Sequence, residues 1–528
     1  MMSLKAVSGT EAMVVSPHHL ASAAGAKMLM RGGNAFDAAV AVSACLAVVY
    51  PHLAGLGGDA FWMTYSRGDG APRVYNASGR SGHLVTREQF AGQTLIPSQG
   101  PKSALTVPGM VDSWQALLRE YGTMTLAEVL EPAIGYAVNG MPVAPHLHGA
   151  LAERALMLSM HSGTARVYLP GGKIPQAGTR LVQRQLGESL RKLAADGIET
   201  FYQGELARTI TESLQTQGGL LTMEDFAAHS GEWTTPVTGS YRGYEICQAP
   251  PNSQGIAGIL ALHILEHKDI SAVPHGSYEY YHLLAEAVKA GIRERDLYLT
   301  DPGFKSVPLE KLLSKDYGLT QFTGIGKNHA ADLKPNALAE DSVYAAVTDK
   351  DGNAVSFMQG LAVEFGSLVM AGDTGILLHN QGAQFNLDPQ HPNTLEPGKR
   401  SLHSLMPAMA LWEGKPAILY GAQGGDGQAQ TQTAILTRMI DYGMDPQEAI
   451  LEPRWVWGRT RGEPATELRL EKRITGDTID KLRQAGHQVK IVKPVDGLMG
   501  HAQAIRIMEN GCLSGGTDPR SDGSVIGW

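Results

Sequence analysis

The sequence is short of the features that announce several common protein classes. It holds three cysteines in 528 residues, Cys45, Cys247 and Cys512, far apart and without CxxC spacing. That excludes a disulfide framework or a zinc ribbon and favours reduced core thiols. No Lys/Arg run interrupts a mildly acidic balance, formally −8, so neither nucleic acid nor an anionic membrane is expected as a main partner. The most apolar helical stretch, Ala35 to Tyr50, contains Asp37 and falls short of the roughly 20 residues a membrane span needs. The opening Met1-Met2-Ser3-Leu4-Lys5-Ala6-Val7 lacks the apolar core of a signal peptide, and a cytoplasmic location is expected. There is no GxSxG elbow and no HExxH. His18-His19 and His146-Leu147-His148 have no carboxylate spaced to complete a metal site and read as structural or solvated.

What remains is 43% hydrophobic and 18% charged with 62 glycines, the composition of a large globular protein. Two helices are expected from His18 to Arg31 and from Ala35 to Tyr50, split at Gly32-Gly33-Asn34. Gly55-Leu56-Gly57-Gly58-Asp59-Ala60 fits GxGxxA. A dinucleotide fold, however, needs a strand immediately before it and an acidic residue about 20 positions on, where Asn76 and Ser78 stand. From Gly326 to Asp341 the chain turns polar and loses periodicity, which reads as an exposed segment. It leads into a β-hairpin: a short β-branched and aromatic run from Ser342 to Val347, the turn Asp349-Lys350-Asp351-Gly352-Asn353, and a second run from Ala354. The turn is not an EF-hand, since Ala354 and Gly360 stand where Gly and Glu are required. Alone, Asp341-Ser342 would be an ordinary surface pair.

Its company changes that reading. Gly55–Phe61, Val107-Pro108-Gly109 with Trp114, Gly197–Gly204, Gly218–Thr222 with Asp225, Pro250–Gly255 and Asp301-Pro302 precede the hairpin. Phe365-Gly366-Ser367, Gly372–Gln381, Gly398–Pro407, Gly421–Gly427, and Asp518-Pro519-Arg520 with Asp522-Gly523 follow it. In this order they resemble the gamma-glutamyltransferase family of N-terminal-nucleophile (Ntn) hydrolases over nearly the whole chain. The resemblance implies an α+β fold, the four-layer αββα Ntn sandwich. It also implies self-cleavage between Asp341 and Ser342, dividing one domain into a large portion (1–341) and a small one (342–528). Ser342 stands where the family has its nucleophilic Thr. A hydroxyl is a weak nucleophile that needs a base in reach, and a freed α-amine, with an ordinary pKa of about 8, supplies one on the same residue. Gly424 and Gly425 match the backbone oxyanion hole. This chemistry calls for no metal or organic cofactor.

The departures from the family concern substrate. Asn76 stands where an Arg grips the α-carboxylate of gamma-glutamyl substrates, and Gln384 where an Asp holds their α-ammonium. His403-Ser404 replaces a Ser pair, and Gly360 and Ala362 replace a supporting Thr and a substrate-binding Asn. An amide in place of a carboxylate loses most of its attraction for ammonium. The pattern is most like the oxamate amidohydrolase branch and points to a small amide acid as substrate, probed by oxamate, which would yield oxalate and ammonia. Asn76, Gln381, His403 and Ser404 are the candidate pocket. Arg400 is a further candidate for carboxylate recognition that could equally form a structural ion pair. The expected partners are this small molecule, the two fragments of the precursor itself, and a second heterodimer. A gamma-glutamyl hydrolase or transpeptidase, an acylase for bulkier side chains, and an uncleaved binding protein stay open as alternatives.

Overall fold

The computed structural model describes residues 4–334, 341–458 and 465–528. The end of the expected leader, 335–340, lies outside the described residues.

Two seven-stranded antiparallel sheets lie face to face. One runs in the order Val7–Gly9, Leu513–Thr517, Ala502–Ile507, Lys415–Ala422, Ala408–Trp412, Tyr244–Gln248 and Val237–Tyr241. The other runs Ser524–Gly527, Met13–Ser16, Asp341–Thr348, Ala354–Ala362, Asp59–Tyr65, Pro72–Asn76 and Glu232–Thr234. Both draw strands from before and after residue 341, so neither of these two sheets belongs to one side of that bond.

The period-two alternation of strand side chains builds the layers. Along Asp341–Thr348, Tyr344 and Ala346 enter the core between the sheets, with Phe61, Met63, Met358, Met409 and Ile505. Val343, Ala345 and Val347 face the opposite way into a helical core with Ala35–Val49 and Leu126–Asn139. The other sheet is covered by Gly255–Leu265, Tyr278–Tyr298 and Gly427–Asp441. Helix, sheet, sheet, helix is the αββα sandwich.

Ala35–Val49 is buried along its whole length, which its small side chains permit. Its one charge, Asp37, closes a capping box with Asn34 and accepts the Thr123 and Met124 amides at 3.0 and 3.1 Å. Among the described residues no helix is long and apolar enough to cross a membrane. Cys45 and Cys247 are buried free thiols. Cys512 is also free but half-exposed, because it sits on the turn that follows Asn510-Gly511 instead of in the core.

The hairpin falls where its residues suggest. Asp349 organises the turn, its carboxylate accepting the Asp351 and Asn353 amides at 3.0 Å and reaching the Ala35 amide at 2.9 Å. The described part of the upstream segment, 326–334, is mostly exposed but anchored. His282 meets the Gly326 carbonyl at 2.7 Å, Glu286 accepts the Ala331 amide at 2.9 Å, and the Ala330 amide donates to Ala485 at 2.7 Å.

Candidate active site

Ser342 is wholly buried. A register shift in the pairing with Ala354–Ala362 falls between Asp341 and Val343, and such a bulge re-aims a side chain. Three neighbouring strands meet here. Ser342 lies two positions before Tyr344, Gly360 two after Met358 and Asp59 two before Phe61, so all three share the inter-sheet face at one end of the sandwich. Gly360 has no side chain to give: a Cβ there would stand 2.9 Å from the Asp341 carbonyl oxygen and 3.1 Å from the Ser342 Cβ.

The opposite sheet supplies the glycine loop. Lys415–Ala422 ends at Gln423, and Gly424 and Gly425 turn the chain into Gly427–Asp441 with φ of +127° and +53°, values that suit glycine. The Gly424 carbonyl accepts the Gly427 amide at 2.7 Å, and the Gly425 carbonyl accepts the Gln428 amide at 3.1 Å and Gln254 Nε2 at 3.2 Å. Because a peptide is planar, fixing the Gly424 carbonyl also aims the Gly425 N–H. Neither glycine amide donates to another described residue. Unengaged amides at a helix N-terminus are what an oxyanion site requires.

Side-chain amides tie the loop to the Asp341-Ser342 junction. Gln428 Nε2 donates to Ser342 Oγ at 3.3 Å and to Ser404 Oγ at 3.1 Å. Gln423 donates to the Asp341 carboxylate and accepts the His501 amide at 3.2 Å. Gln254 Nε2 also donates to the Ser404 carbonyl at 2.8 Å, while its Oε1 accepts from Arg295, which pairs with Asp426. The sequence reading quoted Gln254 and Gln423 within motifs without a role and missed Gln428. The one available signal was Gln428-Ala429-Gln430-Thr431-Gln432 directly after the paired glycines, where three buried glutamines need partners.

The candidate pocket residues converge on segment 401–404. Asn76 Nδ2 donates to Asn252 Oδ1 at 2.9 Å, and its Oδ1 accepts from the Ser78 amide and hydroxyl at 3.0 and 2.7 Å. Asn252 in turn donates to the Ser401 carbonyl at 2.7 Å. Gln381 Nε2 donates to Ser401 Oγ at 3.0 Å and the Leu402 carbonyl at 2.9 Å.

His403 faces Asp59, its Nε2 3.4 Å from Oδ2, and His379 Nδ1 lies 3.6 Å from the same oxygen. The other Asp59 oxygen accepts the Gly79 and Gly109 amides at 3.1 Å. Burial pushes the Asp59 carboxyl up, but the two imidazoles and the Gly109 amide outweigh it and hold the group below the ordinary carboxylate range. Asp59 and His379 were quoted in motifs without a role; their convergence is a tertiary fact.

Arg400 points elsewhere. Its guanidinium pairs with Glu232 and reaches the Ser78 and Ser230 carbonyls at 2.9 and 3.3 Å. The fold thus brings Ser342, Asp341, Gly424, Gly425 and Ser404 into one network and sets Asn76, Gln381 and His403 around it, with Arg400 engaged in the ion pair.

Away from this end, His282, Glu286 and His487 place possible ligand atoms within 4.8 Å of one another. Lys289 Nζ already sits 2.7 Å from Glu286, and His282 Nδ1 lies 2.9 Å from His487 Nε2. This cluster is charge-balanced and holds the segment entering the junction.

An αββα sandwich with a buried serine at the head of a central strand, tied through Gln428 to the helix that follows a paired-glycine turn, defines an Ntn-type amidohydrolase. The chain belongs to the gamma-glutamyltranspeptidase family, which residues 21–528 match. It is 55% identical to the glutathione hydrolase-like YwrD proenzyme of Bacillus subtilis, covering 99% of both chains. It is 39% identical to the oxamate amidohydrolase proenzyme of Klebsiella pneumoniae, covering 98% of this chain and 99% of that one. The crystal structure of cephalosporin acylase from Bacillus halodurans superposes with a TM-score of 0.93 at 34% identity, covering 100% of this chain and 98% of that one. The chain is accordingly an amide-bond hydrolase of the self-processing gamma-glutamyltransferase and acylase type.

Proposed function

We propose that the chain cuts itself between Asp341 and Ser342 and that Ser342 then hydrolyses the amide of a small acid lacking an α-amino group, with oxamate as the substrate to try first. In the first stage Ser342 Oγ attacks the Asp341 carbonyl carbon, the C–N bond breaks, and the nitrogen takes the proton. Water then hydrolyses the ester to leave the Asp341 α-carboxylate and a free Ser342 amine. In the second stage that amine receives the Oγ proton as the hydroxyl attacks the substrate amide. The Gly424 and Gly425 amides hold the oxyanion, the proton passes to the departing ammonia, and water releases the carboxylate product.

The observation that carries the substrate reading is where the candidate α-carboxylate grips are engaged. Asn76 is committed to Asn252 and Ser78, and Arg400 to Glu232. Gln384, where the family has its ammonium-binding Asp, carries no charge. Asn76, Gln381, His403 and Ser404 then shape a pocket for a compact amide acid. The 55% identity to a glutathione hydrolase-like protein favours a second reading, in which a gamma-glutamyl group is recognised by other means.

The test is intact mass after incubation at neutral pH for the unchanged chain and Ser342→Ala, followed by ammonia release from oxamate and anilide release from a gamma-glutamyl anilide. Two fragments meeting at 341/342, absent in the variant, with ammonia from oxamate, are expected. Fragments with anilide release alone would move the substrate to gamma-glutamyl compounds. A chain that stays whole and inactive would overturn the mechanism.

A further inference from the structure

We infer that Gln428 is the residue that holds the Ser342 hydroxyl for attack on the Asp341 carbonyl. The inference rests on the self-cleavage reading above and extends it to a residue that the sequence did not single out. Among the described residues, Gln428 Nε2 is the one side-chain group hydrogen-bonded to Ser342 Oγ. The neighbouring strand cannot supply a rival from Gly360, since even a Cβ there would crowd the Asp341 carbonyl and Ser342 itself. Support must come from the opposite sheet, and Gln428 is set for it. It is wholly buried in the first turn of Gly427–Asp441, its backbone amide bonded to Gly425 and its second amide hydrogen on Ser404 Oγ.

The direction of that bond has a chemical consequence. When Gln428 donates, it occupies a lone pair of Oγ and leaves the hydroxyl proton free to move to a base as the oxygen attacks. The reverse orientation would place the carbonyl against both serines and leave two buried N–H donors unpaired, whereas the observed one leaves only Oε1 without a partner. Two orphaned donors are worse than one orphaned acceptor. The same side chain links Ser342 to Ser404, so the nucleophile and the pocket wall are aligned together.

The experiment follows the rate of self-cleavage by intact mass, across pH, for the unchanged chain, Gln428→Met and Gln428→Glu. Methionine keeps the volume and loses the donor, and the expected slowing is about 100-fold, the usual effect of removing one catalytic donor, at an unaltered melting temperature. Glutamate keeps the shape and titrates, so its rate is expected to acquire a limb in the carboxylate pH range that the unchanged chain lacks. That limb decides the question if Gln428→Met does not fold. Gln428→Met cleaving close to the unchanged rate, or Gln428→Glu without the new limb, overturns the inference and leaves the cleavage reading standing. An unchanged chain that remains whole removes both.

Discussion

Replacing Asp59 by Asn tests whether one buried carboxylate fastens the end of the sandwich that carries the site. Asp59 joins its own strand to the Gly79 and Gly109 amides through Oδ1, and to His403 and His379 through Oδ2. Asparagine can still offer an oxygen to the two amides, but it turns an N–H toward the imidazoles and removes the charge. A buried hydrogen bond to a charged group contributes about 1.5–3 kcal/mol, and breaking a buried pair costs about 3–5 kcal/mol. A loss of about 3 kcal/mol is therefore expected at neutral pH. With an unfolding entropy of roughly 2.1 cal/mol/K per residue, a chain of 528 residues would melt about 3 °C lower. Because the folded-state pKa lies below its ordinary value, this stabilisation is complete above the ordinary carboxylate range and is lost as pH falls through the depressed folded value. The gap between parent and variant should close only in acid. Scanning calorimetry with urea unfolding as a second probe reads it, and a variant as stable as the parent at neutral pH would refute the argument.

Three further outcomes follow from the geometry. A Cβ at Gly421 would stand 2.0 Å from the Tyr344 ring, two residues from Ser342, so Gly421→Ala is expected to cost about 1–3 kcal/mol by overpacking and to slow cleavage, read by urea unfolding and intact mass. Arg400→Gln, which leaves the half-exposed Glu232 unpaired and withdraws a buried donor from the Ser78 and Ser230 carbonyls, is expected to cost about 2–3 kcal/mol in stability while KM for the amide acid stays nearly constant; a large rise in KM would return Arg400 to the substrate. Burial lowers the His18 pKa to about 3 and that of His229 to about 4, well below the value near 6.5 in the unfolded chain. The unfolded chain therefore binds protons first on acidification, and stability should fall from pH 6.5 toward 4 by about 1.4 kcal/mol per pH unit for each histidine. His229→Gln should flatten the unfolding-versus-pH curve by one such increment.

The hairpin, the two N-terminal helices and the glycine loop were legible because each is written locally, in periodicity, turn residues and glycines. The layers were not, since period two gives a strand two faces without saying which partner each will meet. The αββα architecture came through resemblance. At the site, Ser342, Gly424 and Gly425 could be named from their motifs, whereas Asp59, Gln254, Gln423 and Gln428 could not. Their side-chain partners lie 20 to 344 positions away in the chain, and glutamine has no spacing rule that marks it as functional. Arg400 shows the opposite failure: the residue type suggested a carboxylate grip, and only Glu232 on a distant strand shows where the guanidinium is engaged.

The electrostatic design at this end of the sandwich explains why amides dominate it. At the glycine loop full charges are kept one layer back, in the buried Arg295–Asp426 pair. Arg295 fixes Gln254, Gln254 grips the Gly425 and Ser404 carbonyls, and the two glycine amides donate to none of the described residues. A charge placed directly in the pocket would attract a counter-ion and bind ground state and transition state alike, lowering KM without raising kcat. Held behind the loop, the same charge acts through orientation, and dipoles oriented in advance need no reorganisation if, as proposed, an oxyanion forms against them. Such pre-oriented amides suit a substrate whose only required charge change is the one the reaction creates. Under the proposed self-cleavage they would suit equally the uncharged peptide bond between Asp341 and Ser342.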